Sequence, residues 1–312
     1  MAHPSMQPAP RLTGETSSQV GPVLLAIRPF HGLDAPLAVA RWLATREERE
    51  LHVVTVLEHG DALGMAAGMP PLPQRYYDEE RLALAEQIRE DLSLNGAGTD
   101  LPHIAVLDGS NARAIVGAAR TCGARVIVVG TGRHDTVSRL VHGEGALEIL
   151  AVSDRPVLIV PRNARPGPVA VAVVAVDFSR ASLRAARAAL PMLSEGSRLM
   201  LVHVRPTVAS KKEMPGWSDE PYEQRSQRQF NQFLRQFPTL PGVAVETRIL
   251  QGDASRTIIE YARMYDAGLI ACGRLGHSFV ERVLVGSVST ALVRHAACPV
   301  LVAPELPGDA EE

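Results

Sequence analysis

Three glycines and a serine near the C-terminal end of the chain have the spacing of an anion-binding loop. Gly273, Gly276 and Gly286 are followed at once by Ser287, in the pattern Gly-x2-Gly-x9-Gly-Ser. Apolar runs on either side of the pattern predict a strand, a glycine-bracketed loop and the start of a helix. Glycine lets the backbone turn tightly and approach a ligand, and a helix N-terminus offers free N–H groups and a positive dipole end. The pattern predicts a phosphate-binding loop, with ordinary turn glycines of an α/β protein as the alternative.

Three further motifs stand with the glycine pattern in the second half of the chain. Asp177 begins an Asp-Phe-Ser motif after an apolar run, Gly252 begins Gly-Asp-Ala-Ser before a predicted helix, and Cys298 begins a Cys-Pro-Val-Leu-Val motif near the end of the chain. The four motifs resemble those of the universal stress protein family, and the glycine pattern resembles its ATP-binding signature. Because several motifs occur in the family's order, the resemblance is more specific than a pair of glycines alone.

The resemblance implies an adenine nucleotide site in the second half of the chain. It assigns Asp177 to the adenosine end of the nucleotide and Val204 to the adenine pocket. The alternative role for Asp177 is the N-cap of the helix that contains Ser182 and Leu183. The implied ligand is ATP, with AMP or ADP as alternatives, with or without Mg²⁺, and no catalytic or metal-ligating residue is implied. The other implied site residues line the nucleotide or receive its phosphates: Cys272, Gly273, Gly276, Gly286, Ser287, Val288 and Ser289.

Three basic residues in the same loop are candidates for neutralising phosphate charge. They are Arg274, His277 and Arg282, and a solvated position in the loop is the alternative for each. Lysine occurs only at positions 211 and 212, so no lysine stands in a glycine loop and a P-loop lysine is excluded.

The chain consists of two similar halves. An offset of 143 residues relates several marker positions, and a slightly larger offset of 149 relates the first predicted strands. A register broken by a few loop residues indicates a duplicated domain. We predict domains at 20–162 and 169–305, a polar Pro/Gly-rich linker at 163–168, and a disordered leader (1–19) and tail (306–312). The marker pairs are Gly109 and Gly252, Gly130 and Gly273, Gly143 and Gly286, and Pro156 and Pro299.

Each half is predicted to fold as strands that alternate with helices. Near-continuous apolar strands joined by helices indicate an α/β fold with a parallel sheet covered on both faces, and right-handed crossovers make it doubly wound and Rossmann-like. The resemblance implies five strands per domain in the order 3-2-1-4-5, with the halves in contact through their last strands. The predicted strands are Val23–Ile27, Leu51–Leu57, His103–Leu107, Val126–Val129, Val157–Val160, Val169–Val176, Leu199–Val204, Ala244–Leu250, Leu269–Cys272 and Val300–Ala303. The helices predicted in the first half are Ala35–Ala44, Asp78–Leu94, Ala112–Thr121 and Gly145–Ala151.

The first half departs from the nucleotide pattern at three places. Arg28 stands at the counterpart of position 177, Arg133 at that of 276 and Glu144 at that of 287. A carboxylate at a helix start repels phosphate, and a side chain at 133 blocks close backbone approach. We therefore predict a structural copy that binds no nucleotide. A different anion held by Arg28 and Arg133 is the alternative.

The bulk composition is that of an ordinary two-domain globular protein. The chain has 312 residues, 46% apolar content and a formal net charge of −2, which argues against general attraction to nucleic acid or anionic membranes. Cys122, Cys272 and Cys298 have no zinc or CxxC spacing, which indicates buried thiols in a reducing compartment. No signal-type or membrane-spanning apolar run occurs, so we expect a cytoplasmic protein.

No known catalytic motif accompanies the glycine loop. The sequence lacks Gly-x4-Gly-Lys-Ser/Thr, Gly-x-Ser-x-Gly and the protein-kinase motif set. We therefore expect a nucleotide-dependent stress-response regulator rather than an enzyme, with slow ATP hydrolysis left open. A scaffold or dimerisation protein that needs no nucleotide is the alternative. The resemblance also implies a homodimer of tandem chains and an unidentified protein partner, and two predicted loops, His59–Arg75 and Pro206–Tyr222, are long enough to cover a ligand.

Overall fold

The computed structural model describes residues 21–27, 34–57, 74–94, 102–131, 144–205, 222–237, 241–275 and 285–306. In the first half these residues form β1 (Val23–Ala26), α1 (Asp34–Arg46), β2 (Leu51–Leu57), α2 (Gln74–Leu94), β3 (His103–Asp108), α3 (Asn111–Thr121), β4 (Val126–Gly130), α4 (Glu144–Val152) and β5 (Val157–Val160). In the second half they form β6 (Val171–Ala175), α5 (Arg180–Ala189), β7 (Arg198–Arg205), α6 (Tyr222–Arg235), β8 (Ala244–Gln251), α7 (Ala254–Met264), β9 (Leu269–Gly273), α8 (Ser287–His295) and β10 (Val300–Ala303). The predicted leader, most of the predicted tail and most of both predicted covering loops lie outside the described residues.

The ten described strands form one continuous sheet. Their order is β3-β2-β1-β4-β5-β10-β9-β6-β7-β8, so each half has the predicted order 3-2-1-4-5. Pairing is parallel within each half and antiparallel between β5 and β10, where Leu158 is paired with Leu301. The predicted doubly wound α/β fold and the predicted contact through the last strands are both confirmed.

Helices cover both faces of the sheet, which explains why its central strands are apolar along their whole length. Helices α1, α2, α5 and α6 pack on one face, and α3, α4, α7 and α8 pack on the other. Strands β5 and β10 are buried at every position. Each fully buried Val, Leu or Ile contributes about 1.5–3 kcal/mol, so this shared centre holds the two halves together. None of the helices in the described part of the chain is long and apolar enough to cross a membrane.

The element boundaries differ from the predicted ones by a few residues, for local reasons. Strand β6 begins at Val171 rather than Val169, because the Val169 N–H donates to the carbonyl of Met192 at 2.9 Å instead of joining the ladder. Helix α1 extends past its last apolar residue to Arg46, whose positive charge suits the helix C-terminus. Tyr222, predicted as the end of a loop, is the first residue of α6.

The topology brings the ends of distant strands to one crevice. Strand β6 lies between β9 and β7, so the chain winds in opposite directions on its two sides. Ligands of doubly wound sheets bind beyond the carboxyl ends of the strands at this switch point. Asp177 follows β6 and Gly273 ends β9, so the two predicted motifs face the same crevice.

Candidate functional site

A cavity of about 220 Å³ opens at the carboxyl ends of β6, β7 and β9, beside the N-terminus of α8. Helix α7 closes one side of it with Ala254 and Ile258. Gly276 lies outside the described residues. The other eight implied site residues all line the cavity: Asp177, Val204, Cys272, Gly273, Gly286, Ser287, Val288 and Ser289.

Asp177 supports the start of α5 without being its N-cap. Its Oδ1 accepts hydrogen bonds from the backbone N–H of Ser179 at 3.0 Å and from the Ser179 hydroxyl at 2.6 Å. The N-cap is Ser179, whose Oγ accepts from the N–H of Ser182 at 3.1 Å. The alternative role predicted for Asp177 is therefore wrong in detail. No described residue donates a hydrogen bond to Oδ2, so this oxygen is the one that can meet a ligand.

At the two described glycines of the loop, neighbouring protein atoms leave no room for a side chain. A Cβ on Gly273 would lie 2.9 Å from the Cβ of Ala181 in α5, and a Cβ on Gly286 would lie 2.9 Å from the carbonyl oxygen of Arg274. Neither glycine has a positive φ. Gly273 lines the cavity, and the absence of a side chain there also makes room for helix α5.

The N-terminus of α8 faces the cavity with backbone donors. The first N–H groups of a helix have no intrahelical partner, and the N-cap of α8, Gly286, has no side chain to accept from them. Ser287 is exposed, and its hydroxyl is free to turn toward an anion. Ser289 is buried, and its hydroxyl lies 2.8 Å from the carbonyl oxygen of Arg274, so only its backbone N–H can serve a phosphate. Anions bind readily at such helix starts.

Arg274 turns away from the predicted phosphate position. Its guanidinium is buried and donates to backbone carbonyl oxygens of Leu150, Ala151 and Ser153, at the C-terminal end of α4 in the other half. The predicted role in neutralising phosphate charge is therefore wrong for this residue. His277 and Arg282 lie outside the described residues.

His203 in β7 is a cavity residue that the sequence analysis missed. Its Nδ1–H donates to the carbonyl of Val176 at 2.7 Å, so its Nε2 accepts from the Tyr222 hydroxyl at 2.6 Å. Burial lowers the pKa of His203, an effect that its bond to Val176 and the charge of Asp177 only partly oppose. Its position, beside Val204 at the carboxyl end of a strand, was the available signal in the sequence.

Cys272 forms an apolar part of the cavity wall. Its side chain is buried, and burial together with the charge of Asp177 raises its pKa to about 12. The thiol is therefore protonated at neutral pH and is a poor nucleophile. Among the described residues, no group of three or more His, Cys, Asp or Glu side chains is placed to hold a metal ion.

The described residues of the first half differ from those of the second at the equivalent helix start. Glu144 is the first residue of α4 and is exposed, which puts a negative charge at the helix start. A Cβ on Gly130 would lie 2.8 Å from Cγ of Pro36, so this glycine too is explained by helix packing. Arg28, Arg133 and Gly143 lie outside the described residues.

Comparison with protein families gives two matches along the chain. The universal stress protein family model matches residues 22–161 and again residues 171–304. Strands β1–β5 lie within the first match and β6–β10 within the second.

Individual relatives match shorter stretches of sequence. A universal stress protein of Methanocaldococcus jannaschii is 41% identical over 61 residues, which are 20% of this chain and 36% of that protein. A putative universal stress protein of Staphylococcus saprophyticus is 50% identical over 68 residues, which are 21% of this chain and 41% of that protein. The chain therefore matches only 36% to 41% of the length of these two relatives.

Solved structures share the fold over nearly the whole chain. A universal stress protein from Archaeoglobus fulgidus superposes with a TM-score of 0.63 at 17% identity, covering 92% of this chain and 99% of that one. A putative universal stress protein from Pseudomonas aeruginosa gives a TM-score of 0.54 at 16% identity, covering 92% and 94%. At this identity the superpositions show the fold, and the two family matches show the kinship. The chain belongs to the universal stress protein family and carries two of its repeats.

Proposed function

We propose that the second half binds one adenine nucleotide, ATP in the first place, and that the protein is a nucleotide-dependent regulator of a stress response. The observation that carries this proposal is the convergence of eight motif residues on one cavity at the switch point of the sheet. Cavities of this kind, with a few converging polar groups in apolar walls, are the usual sites of small ligands.

The polar groups of the cavity suit the two ends of a nucleotide. The backbone N–H groups at the start of α8 and the exposed Ser287 hydroxyl favour the phosphates. Asp177 Oδ2 suits a ribose hydroxyl or a base amine, and the apolar walls near Val204 and Ile258 suit the base. Among the described residues, phosphate binding then rests on backbone dipoles and the Ser287 hydroxyl, because the Arg274 guanidinium is bound to the other half.

The same groups explain why we do not propose an enzyme. Asp177 uses one carboxylate oxygen to hold Ser179, and both ring nitrogens of His203 are engaged by Val176 and Tyr222. His203 is therefore not a free general base, and Asp177 has no second catalytic group beside it among the described residues. ATP turnover well below about 1 per second over a long incubation is the expected result, and turnover near that ordinary enzymatic rate contradicts this part of the proposal.

Titration calorimetry and native mass spectrometry of the full chain test the proposal. We expect one ATP per chain, with AMP and ADP as competitors, and repeating the titration with and without Mg²⁺ shows whether the metal contributes. Two equivalent sites, or no binding of any adenine nucleotide, contradict the proposal.

A nucleotide-independent scaffold is the second candidate, and one observation favours it. Gly273 and Gly286 are explained by packing against Ala181 and Arg274, so this part of the glycine pattern would persist without a ligand. Hydrogen exchange with and without ATP separates the two functions, because a scaffold shows no ATP-dependent protection at α8. A homodimer and a protein partner remain part of the proposal. The edges of β5 and β10 pair with each other, so a second chain must use another surface.

A further inference from the structure

The side chain of Arg274 connects the two halves at the wall of the cavity. Its Nη1 lies 3.1 Å from the carbonyl oxygen of Leu150 and 3.0 Å from that of Ser153, both in the first half. A third carbonyl oxygen, of Ala151, lies at 3.4 Å. Arg274 is only 8% exposed, so water does not replace these acceptors.

The guanidinium serves as a cap for α4 from outside its own half. The last carbonyl groups of a helix lack intrahelical partners and form the negative end of the helix dipole, where a cation is favourable. A buried guanidinium in turn needs acceptors, because leaving it without them is costly. The contact therefore fixes the C-terminal end of α4 and the Arg274 side chain relative to each other.

The backbone of Arg274 is the base of the loop that leads to α8. Its N–H donates to the carbonyl of Ala303 at 2.8 Å, and its carbonyl oxygen accepts from the N–H of Gly286 at 2.9 Å. The hydroxyl of Ser289 lies 2.8 Å from the same oxygen. A displacement of the N-terminus of α8 therefore reaches Arg274 through two hydrogen bonds.

The residue at the equivalent position of the first half cannot make this contact. At the 143-residue offset the counterpart of Arg274 is Thr131, whose N–H donates to Val160 at 3.1 Å just as Arg274 donates to Ala303. The backbone arrangement is thus shared, whereas the long guanidinium side chain is present only in the second half. The contact from this position to the other half is therefore made by the half with a serine at its helix start.

We propose that Arg274 is a positioning residue that couples the cavity of the second half to helix α4 of the first half. Occupation of the cavity orders the start of α8, and Arg274 transmits this order to the C-terminal end of α4. Because coupling is reciprocal, α4 in turn sets the affinity of the cavity. The inference rests on the proposed nucleotide function for the identity of its ligand. The connection between the start of α8 and the end of α4 through Arg274 does not depend on that function.

Hydrogen exchange on the full chain tests the coupling in the presence of ATP. In the wild type, ATP should slow exchange about fivefold both at the start of α8 and in residues 150–154. Arg274→Gln should abolish the effect at 150–154, and Arg274→Lys, which keeps the charge, should restore part of it. The matched control is Arg46→Gln, because Arg46 also reaches across the halves, to Leu193 at 3.0 Å, but far from the cavity. Protection of α8 alone in the wild type, or protection of 150–154 that survives in Arg274→Gln, overturns the proposal.

A ligand-free measurement separates the coupling from the nucleotide function. Without ATP, Arg274→Gln should speed exchange about tenfold at both 150–154 and the start of α8, and Arg46→Gln should do so at neither. If Arg274→Gln does not fold, Arg274→Lys serves instead, with faster exchange expected at both segments but by less than tenfold, because lysine keeps the charge. Faster exchange at 150–154 alone overturns the coupling. If ATP protects no segment of the wild type, the nucleotide function fails, and the ligand-free result still decides the coupling.

Discussion

Replacing Ser287 with glutamate should have opposite effects on the free protein and on nucleotide binding. The change gives α8 the residue that starts α4 in the first half, Glu144. In the free protein a carboxylate in the first turn of a helix is favourable by about 0.3–1 kcal/mol. Position 287 is exposed and Gly286 supplies no side-chain cap, so the new carboxylate fits without displacing another group. We therefore expect a slightly higher free energy of unfolding.

The same carboxylate should weaken ATP binding strongly. At about 5 Å from a phosphate, and with an effective dielectric constant of about 40 for this exposed position, the repulsion is about 1.5 kcal/mol per unit charge. Loss of the hydrogen bond from the Ser287 hydroxyl to a charged oxygen costs about another 1.5 kcal/mol. The sum of about 3 kcal/mol corresponds to a dissociation constant raised about 150-fold.

Calorimetric titration with ATP and thermal unfolding with and without ATP measure both effects. The control is Glu144→Ser, which should lower the free energy of unfolding by about 0.3–1 kcal/mol and leave ATP affinity unchanged. If Ser287→Glu keeps an ATP dissociation constant close to that of the wild type, the phosphates do not sit at α8. A loss of stability in the free variant would show that the start of α8 is not the open helix end described above.

Two further predictions concern the groups around the cavity. Gly273→Ala should lower the free energy of unfolding by about 1–3 kcal/mol, because its Cβ would lie 2.9 Å from that of Ala181. Gly117→Ala in α3, where a Cβ meets nothing within 4 Å, should raise the free energy of unfolding by about 0.5–1 kcal/mol in the same denaturant titration; equal effects would contradict the packing argument. Because burial lowers the pKa of His203, the unfolded chain binds its proton more tightly, and stability should fall as pH drops below about 6.5. His203→Gln should make that fall shallower in denaturant titrations at several pH values, and an unchanged slope would contradict it.

The fold was predictable because its signals are local and repeated. Apolar runs such as Val157–Val160 and Val300–Ala303 are strands that helices cover on both faces, and the structure has both with the predicted bounds. The helix ends were less predictable, because a residue such as Tyr222 is placed by its contact with His203 and not by its sequence neighbours.

The candidate site was predictable as a set of positions but not as a set of interactions. The motifs selected eight residues that line one cavity, since loop chemistry leaves a pattern in sequence. The direction of a side chain leaves no such pattern. Arg274 stands beside Gly273 in the chain, yet its guanidinium reaches Leu150, more than a hundred residues away. Ser289 likewise turns its hydroxyl to the Arg274 carbonyl and not to the cavity.

The glycines and the residues beside them carry different information about the two halves. Gly130 of the first half and Gly273 of the second are equivalent positions. At each of them a neighbouring helix occupies the space that a Cβ would need, through Pro36 and Ala181 respectively. Packing alone therefore accounts for a glycine at both positions, whether or not a half binds a ligand. The halves differ in chemistry at two equivalent positions. Helix α4 starts with Glu144 where α8 starts with Ser287, and Thr131 stands where the second half has Arg274. We therefore expect the charge at the helix start to decide whether a half binds an anion, and the proposed nucleotide site to depend on Ser287 more than on Gly273.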